Sequence, residues 1–248
     1  MIVLKSKAEI ELMAKAGAVT AAMLEEIAEL IRPGMSSAEL DRWCEEYIIA
    51  HGMKPAFKGY GGFPASVCIS VNEEVIHGIP STRKFKEGDI VSVDLGTIYE
   101  GFYSDAARTY PVGEVDEQSR RLIEVAEESF FEGLKFCRTG MRIGDISNAV
   151  QSCVESNGFS VIRDYTGHGL GRDLHEDPQV PNYGRAGRGP QLLPGMVIAV
   201  EPMIAAGSYD VRVLEDEWTV VTADGSRAAH YENTVVITDG EPELLTKL

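Results

Sequence analysis

The sequence predicts an α+β fold of two similar halves, with strands in a curved antiparallel sheet and helices packed on its outside. Three observations predict this fold: a repeated helix–turn–helix pattern, a repeated apolar strand that ends in an acidic residue, and two long amphipathic stretches over about 7–31 and 116–137. In those stretches apolar residues recur at three- and four-residue spacing, as an amphipathic helix requires. We expect a single domain over 1–248, with halves of about 1–115 and 116–248.

A turn of the type Arg-x-Gly-Met closes each amphipathic stretch. Residues 31–35 match residues 137–141 in this pattern. A second helix is predicted after the turn in each half, and the two are expected to end at Gly52 and Gly158. The paired helices therefore indicate a duplicated architecture.

The strands that follow also match between the halves. Residues 87–94 align with 194–201, so that Asp94 and Glu201 end equivalent apolar runs. A duplicated helix–helix–strand unit would bring the two strand ends together across a pseudo-two-fold axis. Asp105 and Glu232 are then expected on the next strand of each half, after hairpins of unequal length.

Loops are expected where Pro and Gly cluster, because these residues interrupt regular structure. Such clusters occur at 59–64, 178–190 and 202–207. No linker is long enough to divide the chain into independent domains. The prediction therefore stays with one domain.

The composition narrows the classes of function. A net charge of −16 and a pI near 4.7 argue against broad electrostatic capture of nucleic acid. No apolar run approaches the roughly 18 residues of a membrane helix, and the N-terminus lacks signal-peptide features. The four cysteines form no Cys-x-x-Cys pair, so neither a thiolate zinc site nor a disulfide framework is indicated. We expect a cytoplasmic monomer.

Five ligand-type residues occupy separate but internally related settings: Asp94, Asp105, His168, Glu201 and Glu232. Several of the acids interrupt or end apolar runs, where a buried carboxylate is costly unless it is paired or bound to metal. Four converging carboxylates would repel one another, whereas two divalent cations balance their charge. Mixed carboxylate and imidazole ligands without thiolate suit Co, Mn, Fe(II) or Zn.

A two-metal site of this kind favours metal-assisted hydrolysis. His77 and His175 lie in polar, glycine-bounded segments and are candidates for hydrogen bonding to a developing oxyanion. His230 is interpreted as a structural residue or a support for Glu232. The segment 167–171 is rich in glycine but lacks the spacing of a phosphate-binding loop.

At these residues the chain resembles the type I methionine aminopeptidases, whose pita-bread fold is shared with creatinase and the proline-specific peptidases. The resemblance runs from about residue 3 to 246 and is carried by 54–60, 66–73, 77–80 and all five ligand settings. It implies removal of the initiator Met from nascent polypeptides when the second residue is small. Transient contact with the ribosome is an associated expectation.

The resemblance also implies residue roles. Asp94 would bind one metal ion, and His168 would bind the other together with Glu201. Asp105 and Glu232 would bridge the pair, and Glu201 would also act as the base. The free α-amine of the substrate would bind near Asp94.

The resemblance further assigns substrate contacts. His175 would bond the scissile carbonyl or the tetrahedral intermediate, and His77 would contact the substrate amide. The matching positions of the methionine pocket are Phe57, Tyr60, Phe63, Cys68, Leu174 and Trp218. An apolar, partly aromatic pocket suits a thioether.

Some positions depart from the family pattern. Gly61 stands where some bacterial relatives carry His, and Asn233 stands where His is common; Phe57 and Leu174 replace other side chains of the pocket rim. These departures affect pocket shape rather than the ligands. The chain lacks a late helical insertion, which favours the short bacterial form over the type II form.

Three other interpretations stay open. A proline-specific aminopeptidase or prolidase shares the fold but normally carries a large additional N-terminal domain. A non-catalytic binding protein of the same fold would be expected to lose ligands. A structural metal site would be closed, whereas a catalytic site keeps open positions.

Overall fold

The computed structural model describes residues 1–247 of the chain. Its helices pack against a curled antiparallel sheet, and the predicted α+β fold class is confirmed. Among these residues, no helix has both the length and the apolar character needed to cross a membrane.

Two pairs of α-helices follow one another along the described chain. Their bounds are α1 Lys7–Leu30, α2 Ser37–Ala50, α3 Glu117–Leu134 and α4 Ile143–Ser156. The amphipathic stretches thus form helices, although α3 ends before 137. The chain tightens there, with the Phe136 N–H donating to the Gly133 carbonyl at 2.9 Å.

The strands are short and number seventeen within 1–247. Those of the first half are β1 Lys54–Pro55, β2 Cys68–Val71, β3 Glu74–Ile76, β4 Ile90–Leu95, β5 Thr97–Tyr99, β6 Phe102–Tyr103 and β7 Ala106–Pro111. Those of the second half are β8 Ser160–Val161, β9 Thr166–Gly169, β10 Glu176–Pro181, β11 Val197–Val200, β12 Met203–Ala205, β13 Val211–Val213, β14 Val220–Thr222, β15 Ala228–His230, β16 Glu232–Val236 and β17 Glu243–Leu244.

The largest sheet determines where the functional residues meet. Its strand order is β10-β9-β11-β16-β7-β4-β2, and β17 pairs with β16. The neighbouring strands of this sheet are antiparallel. The strands β4 and β11, whose sequences match, flank the central pair β7 and β16. The two matching strand ends are therefore brought to the middle of one sheet.

Serine capping boxes fix the start of the first two helices. The Ser6 side chain accepts a hydrogen bond from the Glu9 N–H, and the Glu9 carboxylate accepts one from the Ser6 N–H at 3.0 Å. Ser36 and Glu39 repeat this arrangement before α2. Each box satisfies backbone donors that the helix itself leaves without partners.

The two Arg-x-Gly-Met turns adopt the same backbone conformation. Gly34 has φ of 88° and Gly140 has φ of 91°, a left-handed region that glycine enters without a Cβ clash. Gly52 and Gly158 lie just beyond α2 and α4 with φ of 72° and 80°. The repeated glycines thus produce equivalent turns in the two halves.

The side-chain alternation of β4 separates the core from the site. Val91, Val93 and Leu95 pack in the cluster that also contains buried residues of α1 and α2. Because successive side chains of a strand point to opposite faces, Ser92 and Asp94 face the other side of the sheet. The helices therefore stabilise one face while the acid is free to line a cavity on the other.

Two of the three predicted loops contain strands. Strand β10, Glu176–Pro181, overlaps the start of the expected loop 178–190, and Met203–Ala205 form β12 within 202–207. Pro178 and Pro181 are tolerated in β10 because this strand lies at the edge of the sheet, where a missing N–H costs little. The Pro and Gly count was therefore the wrong signal at these positions.

Candidate metal centre

The five predicted metal ligands come from five adjacent strands of the largest sheet. Asp94 lies in β4, Asp105 immediately precedes β7, Glu232 begins β16, Glu201 immediately follows β11, and His168 lies in β9. Asp94 and Glu232 are both in register with Ala107 on the strand between them. The sheet itself thus gathers residues that are far apart in sequence.

Hydrogen bonds from neighbouring side chains hold the backbone at the acids. The Thr234 hydroxyl accepts from the Asp105 N–H at 3.1 Å and donates to the Asp105 carbonyl at 2.8 Å. Arg108 donates to the Glu232 carbonyl at 2.6 Å, and Asn182 donates to the Glu201 carbonyl at 2.8 Å. These contacts leave the carboxylates themselves available.

His168 faces the carboxylates with one ring nitrogen. Its Nε2 lies 3.5 Å from Glu201 Oε1 and 3.7 Å from Asp105 Oδ2. Its Nδ1 lies 2.9 Å from the Gly169 carbonyl oxygen. Since a carbonyl only accepts, Nδ1 carries the proton, and the lone pair on Nε2 points at the acids. A metal-binding histidine is commonly oriented in this way.

Burial dominates the electrostatics of the acids. It raises the pKa of Asp94 from 3.8 to about 7. Burial together with the charges of neighbouring acids raises the pKa values of Asp105, Glu201 and Glu232 well above their usual range. Burial lowers the pKa of His168 to about 3, so the imidazole is neutral at pH 7. His168 therefore brings no positive charge to the acids.

The residues fit divalent metal ions. Within 1–247, one oxygen each of Asp94, Asp105 and Glu232 is buried without a hydrogen-bond partner. Ligand atoms of Asp105, His168 and Glu232 lie within 4.8 Å of one another. Because burial and nearby acids raise the pKa of the Cys68 thiol, that side chain stays protonated and is a poor ligand. The donor set is thus oxygen and nitrogen, as hard or borderline divalent ions prefer.

We expect the metal-free protein to lose stability as the pH rises from about 4 to 7. The folded-state pKa of Asp94 lies above its ordinary value of 3.8, so the folded state holds the extra proton and deprotonation favours unfolding. Thermal melts in chelator between pH 5 and 8 measure this effect. Added Mn²⁺ should raise the midpoint most at pH 8. In the metal-free Asp94→Asn variant, the melting midpoint should depend less steeply on pH than in the metal-free parent. An equal slope in the two proteins would contradict the raised pKa of Asp94 as the cause.

His175 is held at the cavity by the loop before β10. The Lys5 ammonium contacts Glu176 at 2.5 Å in a mostly buried ion pair, and Glu176 also accepts from the Arg172 N–H at 2.9 Å. The Tyr60 hydroxyl lies 2.7 Å from His175 Nδ1. Burial lowers the pKa of His175, which keeps the ring neutral. The ring is thus positioned from both sides.

His77 occupies an unusual backbone conformation. Its φ is 59°, a left-handed value that costs a non-glycine residue about 1–3 kcal/mol. The next residue, Gly78, approaches β2 so closely that a Cβ there would lie 2.2 Å from the Ile69 carbonyl oxygen. The His77 ring meets Tyr165 edge-on at 5.8 Å. Burial lowers its pKa to about 4, so it is a neutral hydrogen-bonding group.

One cavity of about 210 Å³ contains all the predicted site residues. Its polar wall carries the five ligand candidates with His77 and His175. Its apolar wall carries the predicted pocket residues Phe57, Tyr60, Phe63, Cys68, Leu174 and Trp218. Phe63 and Trp218 meet edge-to-face with ring centroids 5.1 Å apart. The predicted residues are therefore all brought together, while their individual roles stay predictions.

His230, interpreted from the sequence as a structural residue or a support for Glu232, lies beside two acids of the centre. Its Nε2 lies 3.7 Å from both Glu201 Oε2 and Glu232 Oε2. It lies two residues before Glu232, the spacing that puts two side chains of an extended chain on one face. That spacing was the signal that could have placed it at the centre. Tyr165 and Ile76 also line the cavity without having been singled out.

Residues 11–239 match the sequence model of metallopeptidase family M24. The chain belongs to this family. A methionine aminopeptidase of Clostridium perfringens is 56% identical over 246 residues, covering 99% of each chain. Methionine aminopeptidase 1 of Bacillus subtilis is 49% identical over 248 residues, covering 100% of each. The resemblance to type I methionine aminopeptidases is therefore confirmed.

Solved structures of M24 peptidases agree with this placement. A methionine aminopeptidase from Thermotoga maritima is 51% identical, with a TM-score of 0.98 and full coverage of both chains. The prolidase from Pyrococcus furiosus is 26% identical, with a TM-score of 0.81 over 99% of this chain but only 66% of the prolidase. The pita-bread fold is thus confirmed, and the prolidase contains additional structure beyond the matched region.

Proposed function

We propose that the chain is a methionine aminopeptidase that removes the initiator Met from nascent polypeptides when the second residue is small. The main support is that one cavity is lined both by the five metal-ligand candidates and by an apolar, partly aromatic pocket. The centre opens onto this cavity, which favours a catalytic site over a closed structural one. All five candidate ligands are present, which argues against a non-catalytic relative.

Two divalent ions, Co, Mn, Fe(II) or Zn, are the proposed cofactors. Asp94 would hold one ion, His168 and Glu201 would hold the other, and Asp105 and Glu232 would be ligands shared by both. When bound there, the ions polarise the scissile carbonyl and lower the pKa of a water molecule. Glu201 would act as the base that takes a proton from that water molecule.

His175 supplies a hydrogen bond to the oxygen of the scissile carbonyl. Burial raises the pKa of Tyr60, and its protonated hydroxyl, 2.7 Å from His175 Nδ1, is assigned as the donor to that nitrogen. The neutral ring then carries its own proton on Nε2. A fixed N–H donor aimed at a developing oxyanion stabilises the transition state.

His77, on the same polar wall as His175, binds the substrate amide. The strained backbone at this residue and the close packing of Gly78 fix the ring at the cavity. The free α-amine of the substrate binds near Asp94. Recognition of that amine explains release of a single N-terminal residue.

The apolar wall selects methionine. Phe57, Phe63, Cys68 and Leu174 belong to one buried cluster, against which Trp218 packs. An unbranched thioether fills an irregular apolar pocket and makes favourable contacts with aromatic rings. A branched or charged side chain would leave voids or require burial of charge.

The setting of the reaction follows from the substrate. We place the enzyme in the cytoplasm as a monomer that makes transient contact with the ribosome. Nascent chains beginning with Met are its partners. The acidic net charge of −16 favours brief rather than stable association with ribosomal RNA.

Peptide hydrolysis by the Mn²⁺-loaded protein tests the function. Met-Ala-Ser and Met-Pro-Ala should release Met, whereas Met-Leu-Ser should be cleaved much more slowly. Ala-Pro-Ala is the control for a proline-directed peptidase. Its cleavage in place of the Met peptides would move the assignment to that class, and metal binding without any cleavage would indicate a non-catalytic protein.

A further inference from the structure

His230 has a buried imidazole side chain whose ring nitrogens form no hydrogen bond within residues 1–247. The side chain is almost wholly inaccessible. Buried polar atoms normally find a partner, so each exception calls for an explanation. The carboxylates that the His230 ring faces provide that explanation.

The ring faces the far side of the carboxylate cluster from His168. Glu201 lies between the two imidazoles, with Oε1 3.5 Å from His168 Nε2 and Oε2 3.7 Å from His230 Nε2. Glu232 Oε2 is also 3.7 Å from His230 Nε2. Ligand-type atoms of Asp94, His230 and Glu232 lie within 4.8 Å of one another. His230 therefore adjoins acids on both sides of the centre.

The backbone of His230 is fixed in place. The Thr109 hydroxyl accepts from the His230 N–H at 2.9 Å and donates to the His230 carbonyl at 2.9 Å. His230 is also in register with Met203 on β12. Only the side-chain torsions remain to adjust the ring. A residue held in this way can orient its neighbours.

The two histidines are supported differently. The Nδ1 atom of His168 is bonded to the Gly169 carbonyl, the type of contact that fixes a metal-binding tautomer. The Nδ1 atom of His230 has no such contact within the described chain. His168 is therefore built as a ligand, whereas His230 keeps an N–H available for a carboxylate.

We propose that His230 is a positioning residue that donates its Nε2–H to Glu201 Oε2 and holds that carboxylate toward the His168 side. The present separation exceeds hydrogen-bond length by roughly 0.7 Å, which a small rotation of the Glu201 side chain covers. A carboxylate that binds an ion and also moves a proton requires a fixed orientation. The inference rests on the proposed function of Glu201.

Calorimetric titration with Mn²⁺ of chelator-treated His230→Leu and His230→Gln proteins tests this role. Leucine removes the donor, and we expect Mn²⁺ affinity to fall about 10- to 100-fold with two ions still bound. Glutamine supplies an amide N–H, and the Mn²⁺ affinity of this variant should stay within about three-fold of the original protein, less than the roughly five-fold change expected for loss of one ordinary hydrogen bond. kcat should follow the same order while KM changes little.

Three results would overturn the proposal. Unchanged affinity in His230→Leu would mean that the ring only fills space. Loss of one bound ion in both variants would make His230 a ligand. An equal loss of Mn²⁺ affinity in both variants would show that the Nε2–H of His230 is not what supports binding. Melting curves in chelator check that each variant folds, and the titration does not depend on which peptide is cleaved, so failure of the proposed function would be seen separately.

Discussion

Asp105→Asn should abolish peptide turnover and weaken metal binding by at least about 100-fold, beyond the range expected for loss of a supporting contact. The change leaves side-chain size nearly constant but replaces a proposed bridging oxygen with an amide. It also lowers the negative charge that balances two divalent cations. The backbone at Asp105 is held by Thr234 and should not move.

Metal content and circular dichroism measured on the same sample separate loss of the centre from loss of the fold. Asp89→Asn is the matched control, since Asp89 is another buried acid, immediately before β4, that accepts hydrogen bonds from the Asn72 amide and the Lys86 N–H. Burial and neighbouring acids raise the pKa of Asp105, so the metal-free variant should be more stable than the metal-free parent at pH 8. Normal turnover by Asp105→Asn would remove Asp105 from the bridging role.

His175→Ala should lower kcat roughly 30- to 1,000-fold while both metal ions are retained. This decrease corresponds to loss of about 2–4 kcal/mol of transition-state stabilisation. The effect arises because the ring is the proposed donor to the developing oxyanion. Its neutral state and its contact with Tyr60 keep that donor ready. Steady-state kinetics measure the decrease in kcat, and metal analysis shows whether both ions are retained.

Tyr60→Phe provides the comparison for this prediction. It removes the hydroxyl that orients His175 but leaves the ring itself, so the decrease in kcat should be clearly smaller than for His175→Ala. A decrease confined to KM in His175→Ala would indicate ground-state binding only. An unchanged kcat would exclude His175 from the mechanism.

Much of the fold could be predicted because the same helix–turn–helix–strand pattern occurs twice in the sequence. The amphipathic periods of α1 and α3, the capping serines and the Gly34 and Gly140 turns are local signals, and local signals specify helices well. The match of Asp94 with Glu201 then indicated which strands meet. The single domain over 1–248, with an internal repeat of about 1–115 and 116–248, stays a prediction.

The parts that were missed depend on tertiary position. The loop expected at 178–190 begins as β10, because an edge strand tolerates the two prolines that would be excluded from its centre. The orientation of His230 toward Glu201 depends on the pairing of β12 with β15, and no local pattern reveals that pairing. Sequence spacing placed His230 on the face of Glu232 but not beside a second acid.

We propose that this buried cluster is a two-metal hydrolytic centre. The most direct test adds Mn²⁺ or Co²⁺ in measured equivalents to chelator-treated protein and records release of Met from Met-Ala-Ser. We expect negligible release of Met without metal, and a rise that saturates as the sites fill, at no more than two ions per chain. Release that persists in the metal-free protein would contradict it.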